Sequence, residues 1–321
     1  MTKCFEYFVT QALGFLSRFC VAELRNYTKQ PLDYSQIIQQ LKSRGLLFHD
    51  EATAENELKI VSYFRIANYL RTLEIPNSSH VFQQNSYFED ALSIYYFDKE
   101  LRALIFTAIQ SVEIALRSKV IHHVSMKHGA FWFTDDSLCI NRGAFQDNLT
   151  QIKKEIKRSK EDFIQDHFAK YDTPDVPPVW KTLEVTSFGV LSKLFYNLND
   201  VKVKKKIARE FNLPQHICLE SWIRSIVVLR NCLAHHARVW NRRFSQMPSM
   251  SYNLRGSWIN TAHVRTAKLY ALLSCLAYLQ DNIHPNNDFK ARFKKLLAQY
   301  PNINTHAMGF PTNWQNEPLW K

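Results

Sequence analysis

Apolar residues recur at helical spacing along most of the chain, and no segment sustains the apolar–polar alternation of a half-buried strand. That pattern predicts an all-α protein. Ile37, Ile38 and Leu41 mark a short helix that Gly45 would stop, with Leu46 just beyond. ELKIVSYFRIANYLRTL predicts one helix running to Leu73, ahead of Pro76. Residues 87–127 carry the longest periodic pattern, with Leu101, Ile105, Ile109, Val112 and Leu116 on one stripe. IKKEIKRSKEDFIQDHF, WKTLEVTSFGVLSKLFYNL and VKVKKKIAREF each read as a helix, and the proline-rich DTPDVPPVW is the sharpest break. A helix from Ile217 to Trp240 follows, then a polar loop (242–257), then AKLYALLSCLAYLQ and DFKARFKKLLAQY.

This pattern divides the chain into an N-terminal helical subregion (1–85), a helical core (86–300) with a basic insertion around 129–215, and a C-terminal tail (301–321). Hydrophobic residues make up 46% of the 321, enough for a globular core. Near the N-terminus, Glu6 interrupts the apolar stretch and Arg18 closes it, so an amphipathic helix is expected there rather than a signal peptide. No apolar run approaches a membrane span, and no membrane partner is expected.

Lys and Arg number 41 against 29 Asp and Glu, a formal charge of +12. Such an excess suits either a polyanion such as nucleic acid or plain solubility. Phosphate-cradling glycine loops are absent, which argues against a nucleotide-binding α/β fold. Cys4, Cys20, Cys139, Cys218, Cys232 and Cys275 are scattered without a CxxC spacing. A reducing cytoplasm is expected, with no metal and no cofactor.

The densest polar cluster in an apolar helix is LRNCLAHHARVW, residues 229–240. On a continuous helix, Trp222, Ile226, Leu229, Leu233 and His236 form one stripe, which assigns His236 to the core or an interface. Asn231, His235, Arg238 and Arg242 form a separate polar face, with Arg230 in reach of it. Spacing therefore favours His235 as the accessible imidazole. An imidazole can move a proton near neutral pH, and a guanidinium offers a planar fork of donors to a phosphodiester. These groups meet the needs of RNA cleavage by its own 2′-hydroxyl, which DNA lacks. The alternative is that Arg230 and Arg238 pair with acids such as Glu220 and the histidines are buried spacers.

Arg230, Asn231 and His235 resemble the Arg-x(4–6)-His signature of the HEPN superfamily of helical ribonucleases. A wider likeness runs from about Lys29 to about Leu297. KQPLDYSQIIQQLKSRGLLF, IVSYFRIANYL, FDKELRALIFTAIQSVEIALRSKVIHHVS, PPVWKTLEVTSFGVLSKLFYNL and LESWIRSIVVLRNCLAHHARVWNR resemble, in that order, the Abi-like abortive-infection proteins of the AbiD/AbiF type. The resemblance implies a HEPN-like helical bundle with additional N-terminal helices. It also implies phage defence and a metal-independent endoribonuclease, with Arg230, Asn231 and His235 catalytic and His236 and Arg238 supporting. Such enzymes commonly join two motifs, through a homodimer or within one pseudo-symmetric chain, and some are restrained by a small structured RNA.

A second possible motif in this chain is Arg117-x4-His122, followed by His123. Glu113 and Arg117, four apart, are expected to pair, which favours a structural or RNA-contacting role over a catalytic one. Candidate RNA contacts are Lys202, Lys204, Lys205, Lys206 and Arg209, then Lys153, Lys154 and Lys157, and Arg242 and Arg243. Glu155 and Glu161 interleave the 153–160 run, so part of it reads as solvated surface. A non-catalytic RNA-binding module, regulated by or sequestering a small RNA, is the alternative function.

Overall fold

The long periodic stretch forms one helix of 41 residues, roughly 60 Å at 1.5 Å per residue, and the other helices are arranged around it. A computed structural model describes residues 26–250 and 254–321; the amphipathic helix expected near the N-terminus, with Cys4 and Cys20, lies outside these. The described residues form twelve α-helices and no strand. They are α1 (Tyr34–Ser43), α2 (Glu51–Ile60), α3 (Tyr63–Leu70), α4 (Phe88–His128), α5 (Arg142–Arg158), α6 (Asp162–Lys170), α7 (Val179–Thr182), α8 (Phe188–Asn197), α9 (Val201–Glu210), α10 (His216–Ala234), α11 (Leu269–Ile283) and α12 (Phe289–Gln299). None is long and apolar enough to cross a membrane.

Helix α4 has Glu89 and Asp90 in its first turn and Lys127 and His128 in its last, charges that complement the helix dipole. Its stripe from Leu101 to Leu116 is buried throughout. Around it pack α3, α9, α10, α11 and α12. In α11 every residue from Leu269 to Gln280 is buried, so this helix is enclosed on all sides.

Three expected helices are broken. ELKIVSYFRIANYLRTL becomes α2 and α3, because Val61 is extended and Ser62 starts a new helix. The break turns Ile66, Tyr69 and Leu70 of α3 into the core. The 152–168 run divides at Ser159 into α5 and α6. WKTLEVTSFGVLSKLFYNL becomes α7, a 3₁₀ turn and α8. Here Glu155, expected on a solvated face, is buried and accepts the Ser187 N–H at 2.8 Å, at the start of α8.

Residues 301–321, the expected C-terminal tail, pack onto the helical core. Met308, Phe310, Trp314, Leu319 and Trp320 are buried, and the Phe310 ring lies 4.7 Å from that of Tyr270 on α11. The approach is close: a Cβ on Gly309, where φ is +94°, would stand 2.5 Å from the Cβ of Lys268. One apolar core runs from Ile38 to Trp320.

Candidate functional site

Along α10, Trp222, Ile226, Leu229 and Leu233 form the expected buried stripe. The helix then stops at Ala234 rather than continuing to Trp240. The His236 N–H bonds to the Leu233 carbonyl at 2.9 Å and the Ala237 N–H to the Cys232 carbonyl at 2.9 Å. This is a Schellman closure with histidine, at φ 53°, in the left-handed position that glycine usually takes. Instead of continuing the core stripe, His236 is exposed on the turn beside His235, which caps the helix.

Two pieces of the chain hold this turn. From α3, the Arg65 guanidinium donates to the His236 carbonyl at 2.7 Å, and the Arg238 guanidinium donates back to the Asn68 carbonyl. Arg238 is thus half-buried and anchored, not free on a face shared with Asn231. Burial lowers its pKa. From α4, Asp98 is fully buried and accepts from the Trp240 N–H at 2.7 Å, the Val239 N–H at 3.2 Å, the Tyr69 hydroxyl at 2.7 Å and the Arg102 guanidinium. Burial pushes the Asp98 carboxyl upward, against the pull of Arg102, Tyr69 and the two N–H groups. All four neighbours are donors, so the site fits the ionised carboxylate.

The turn and α3 enclose a cleft of about 360 Å³. His235, His236, Arg238 and Arg242 line one side, and Ser62, Phe64, Arg65 and Asn68 the other; among the described residues no carboxylate lines it. Arg230, half-buried, and Asn231, exposed, stand a turn back on α10 and do not line the cleft. Neither Arg230 nor Arg238 forms an ion pair among the described residues, and Glu220 is taken by Lys204 at 2.9 Å. Arg243 is exposed, and the Arg242 guanidinium lies 5.9 Å from the Phe244 ring.

The second possible motif is elsewhere. Arg117 binds Glu113 at 2.9 Å, as expected, and the Thr186 carbonyl at 3.1 Å. His123 is buried with its Nε2 2.5 Å from Glu210, and His122 is exposed. Arg117 lies roughly 28 Å along α4 from Asp98, which sits under the cleft. Arg117 and His122 thus stand far along α4 from the end of that helix that carries Asp98.

Among the candidate RNA contacts, Lys202, Lys205, Lys206 and Arg209 are exposed on α9. Lys204 is not available: it is buried, paired with Glu220, and donates to the Tyr196 carbonyl at 2.7 Å. Lys153 pairs with Asp175 at 2.7 Å, while Lys154 and Lys157 are exposed. Sequence reasoning missed Asp98, Arg102, Arg65 and Asn68. For Asp98 and Arg102 the one legible signal was an acid and an arginine four apart in FDKELRALIF; nothing in the sequence marked Arg65 and Asn68.

Among the described residues, no group of three or more His, Cys, Asp or Glu side chains is arranged to hold a metal ion. No curated protein and no solved structure matches the chain. A family model described as Abi-like protein matches residues 56–241, more than half of the length. The matched span begins in α2, includes the buried Asp98 and Arg102, and ends just past the turn that carries the two histidines. The chain belongs to the Abi-like protein family.

Proposed function

We propose that the chain is an abortive-infection protein of phage defence that cleaves RNA at the cleft between α3 and the turn after α10, with the ribose 2′-hydroxyl as nucleophile. The observation that carries this reading is the cleft's composition: two imidazoles and three guanidiniums around one space that, among the described residues, no carboxylate lines. Transesterification by a 2′-hydroxyl requires a proton to be taken from the nucleophile and another to be given to the leaving oxygen. His235 and His236 supply an acceptor and a donor for these, with His235 the principal group. Arg65 and Arg238 each engage a backbone carbonyl, which leaves further N–H groups of each fork for a phosphate. Arg242 adds a third positive charge against the one that builds on the phosphorane.

Arg230 and Asn231 enter this reading as phosphate-positioning groups of a shared site in a homodimer, which would bring two copies of the motif together. His235→Ala tests the proposal. RNA cleavage and toxicity to the host cell are expected to disappear while RNA binding persists; wild-type cleavage by the variant would overturn it.

A second reading, a non-catalytic module that binds a small structured RNA, has support from α9. Lys202, Lys205, Lys206 and Arg209 are exposed there, and none is in an ion pair among the described residues. On that reading His235→Ala is as active as wild type, and Lys205→Glu with Lys206→Glu is the damaging change.

A further inference from the structure

Resting on the RNA-cleaving reading above, we infer that Phe64 is a stacking platform for one unpaired nucleobase at the mouth of the cleft, and that the substrate is single-stranded RNA. Phe64 is 81% exposed and lines the same cleft as His235, His236, Arg238 and Arg242. A lone exposed apolar side chain is ordinary. A bare phenyl ring among arginines and histidines that suit a phosphate is a different matter, because a nucleotide joins a charged phosphate to a flat base with an apolar face.

The ring also stands on a fixed support. Its helix buries Ile66, Tyr69 and Leu70 against the core, and the next turn is tied to the histidine turn by Arg65 and by Arg238. The Asn68 amide donates to the Phe64 carbonyl itself at 3.1 Å. Phe64 is therefore held in one register with the two histidines. A base can lie on such a ring only if its face is free. In an A-form duplex the bases are stacked on each other, and only single strands, bulges and loops expose them. The ring thus selects for unpaired RNA, while the arginines accept any sequence.

The test uses the full chain in a His235→Ala background, so that bound RNA is not consumed, and a short fluorescein-labelled RNA without self-complementarity. Binding is measured by anisotropy for the single strand and for the same strand annealed to its complement. Phe64→Ala is expected to weaken single-strand binding roughly 5- to 150-fold, the worth of one stacked base, and to leave duplex binding unchanged. Phe64→Tyr, which keeps the ring, should bind as the parent does. Equal single-strand affinity for all three proteins, or an equal loss for single strand and duplex, would overturn the inference. So would sedimentation showing that Phe64→Ala converts a dimer to a monomer, since the ring would then belong to a second copy. Cleavage by the protein with His235 restored is read separately: if the alanine at 235 does not change it, the RNA-cleaving reading fails, whatever Phe64 does.

Discussion

Replacing Asp98 with alanine leaves Arg102, itself 8% exposed, without its carboxylate, and leaves the Val239 and Trp240 N–H groups without their acceptor. Breaking a buried ion pair from one side costs about 3–5 kcal/mol, because the remaining charge stays out of water. Each orphaned N–H would add about 1–3 kcal/mol if it stayed buried. The turn can relax and hydrate those two groups, so the full sum does not apply and about 3–5 kcal/mol is the expected loss. That is a large share of the ~5–15 kcal/mol that separates folded from unfolded domains. Asp98→Asn keeps one oxygen for the Trp240 N–H but sets an NH2 donor against the Arg102 guanidinium and the Tyr69 hydroxyl and leaves the Arg102 charge unpaired, so its loss should be of similar size, about 3–5 kcal/mol. Urea unfolding at neutral pH measures the global effect. Amide exchange at Val239 and Trp240 measures the local one, with both amides losing protection in the alanine variant at urea concentrations where the core is intact. An alanine variant that loses less than ~1 kcal/mol and keeps both amides protected would refute the assignment of Asp98 as the clamp on the histidine turn.

The basic helix α9 offers a contrast within a few residues. Lys204→Ala should cost about 3–5 kcal/mol by leaving Glu220 buried and unpaired, whereas Lys205→Ala and Lys206→Ala should stay within ~0.5 kcal/mol of wild type. Each of the latter two should instead lower the slope of log affinity against log salt by a little under one. Wild-type stability for the Lys204 variant would contradict the buried pair. At Asp200 burial works against the charge, but bonds from Lys127, His128 and the Val203 N–H overcome it and pull the carboxyl down to about 2. A carboxyl depressed in the folded state stabilises the fold above its unfolded pKa of ~4, and that contribution is lost as pH falls through the folded value. The gap in Tm between wild type and Asp200→Asn should therefore be full near neutral pH and close between pH ~4 and ~2; a gap that is constant across that window would refute it.

Periodicity was a sound guide where a helix has an unbroken apolar face. Helices α4 and α11 were legible for that reason, since each buries a long stripe or its whole circumference. It failed where the stop is made by tertiary contacts. Neither Gly nor Pro marks the end of α10; the chain leaves the helix because His236 accepts the left-handed conformation and Asp98 captures the next N–H groups. Val61–Ser62 and Ser159 were invisible for a related reason, as serine and valine are tolerated within helices and break them only when packing gains from the turn. Lys204, in contrast, was readable. It lies one residue from Val203, three from Ile207 and four from Ala208, all buried, and so falls on the apolar face of its helix. Of the candidate site, the cluster of Arg and His was plain in the sequence, but which of them share a space was not.

The contacts that shape the cleft join distant parts of the chain: Arg65 to His236 spans 171 residues, Asn68 to Arg238 spans 170, and Asp98 to Val239 spans 141. Each requires a large loop to close before the contact repays it, so the cleft is built from non-local contacts that are entropically costly to form. A nascent or half-folded chain carries both histidines on a peptide with no wall opposite them. Only the finished fold sets α3 against the turn, so the cleavage proposed for this cleft waits on the whole chain from α3 to the histidine turn.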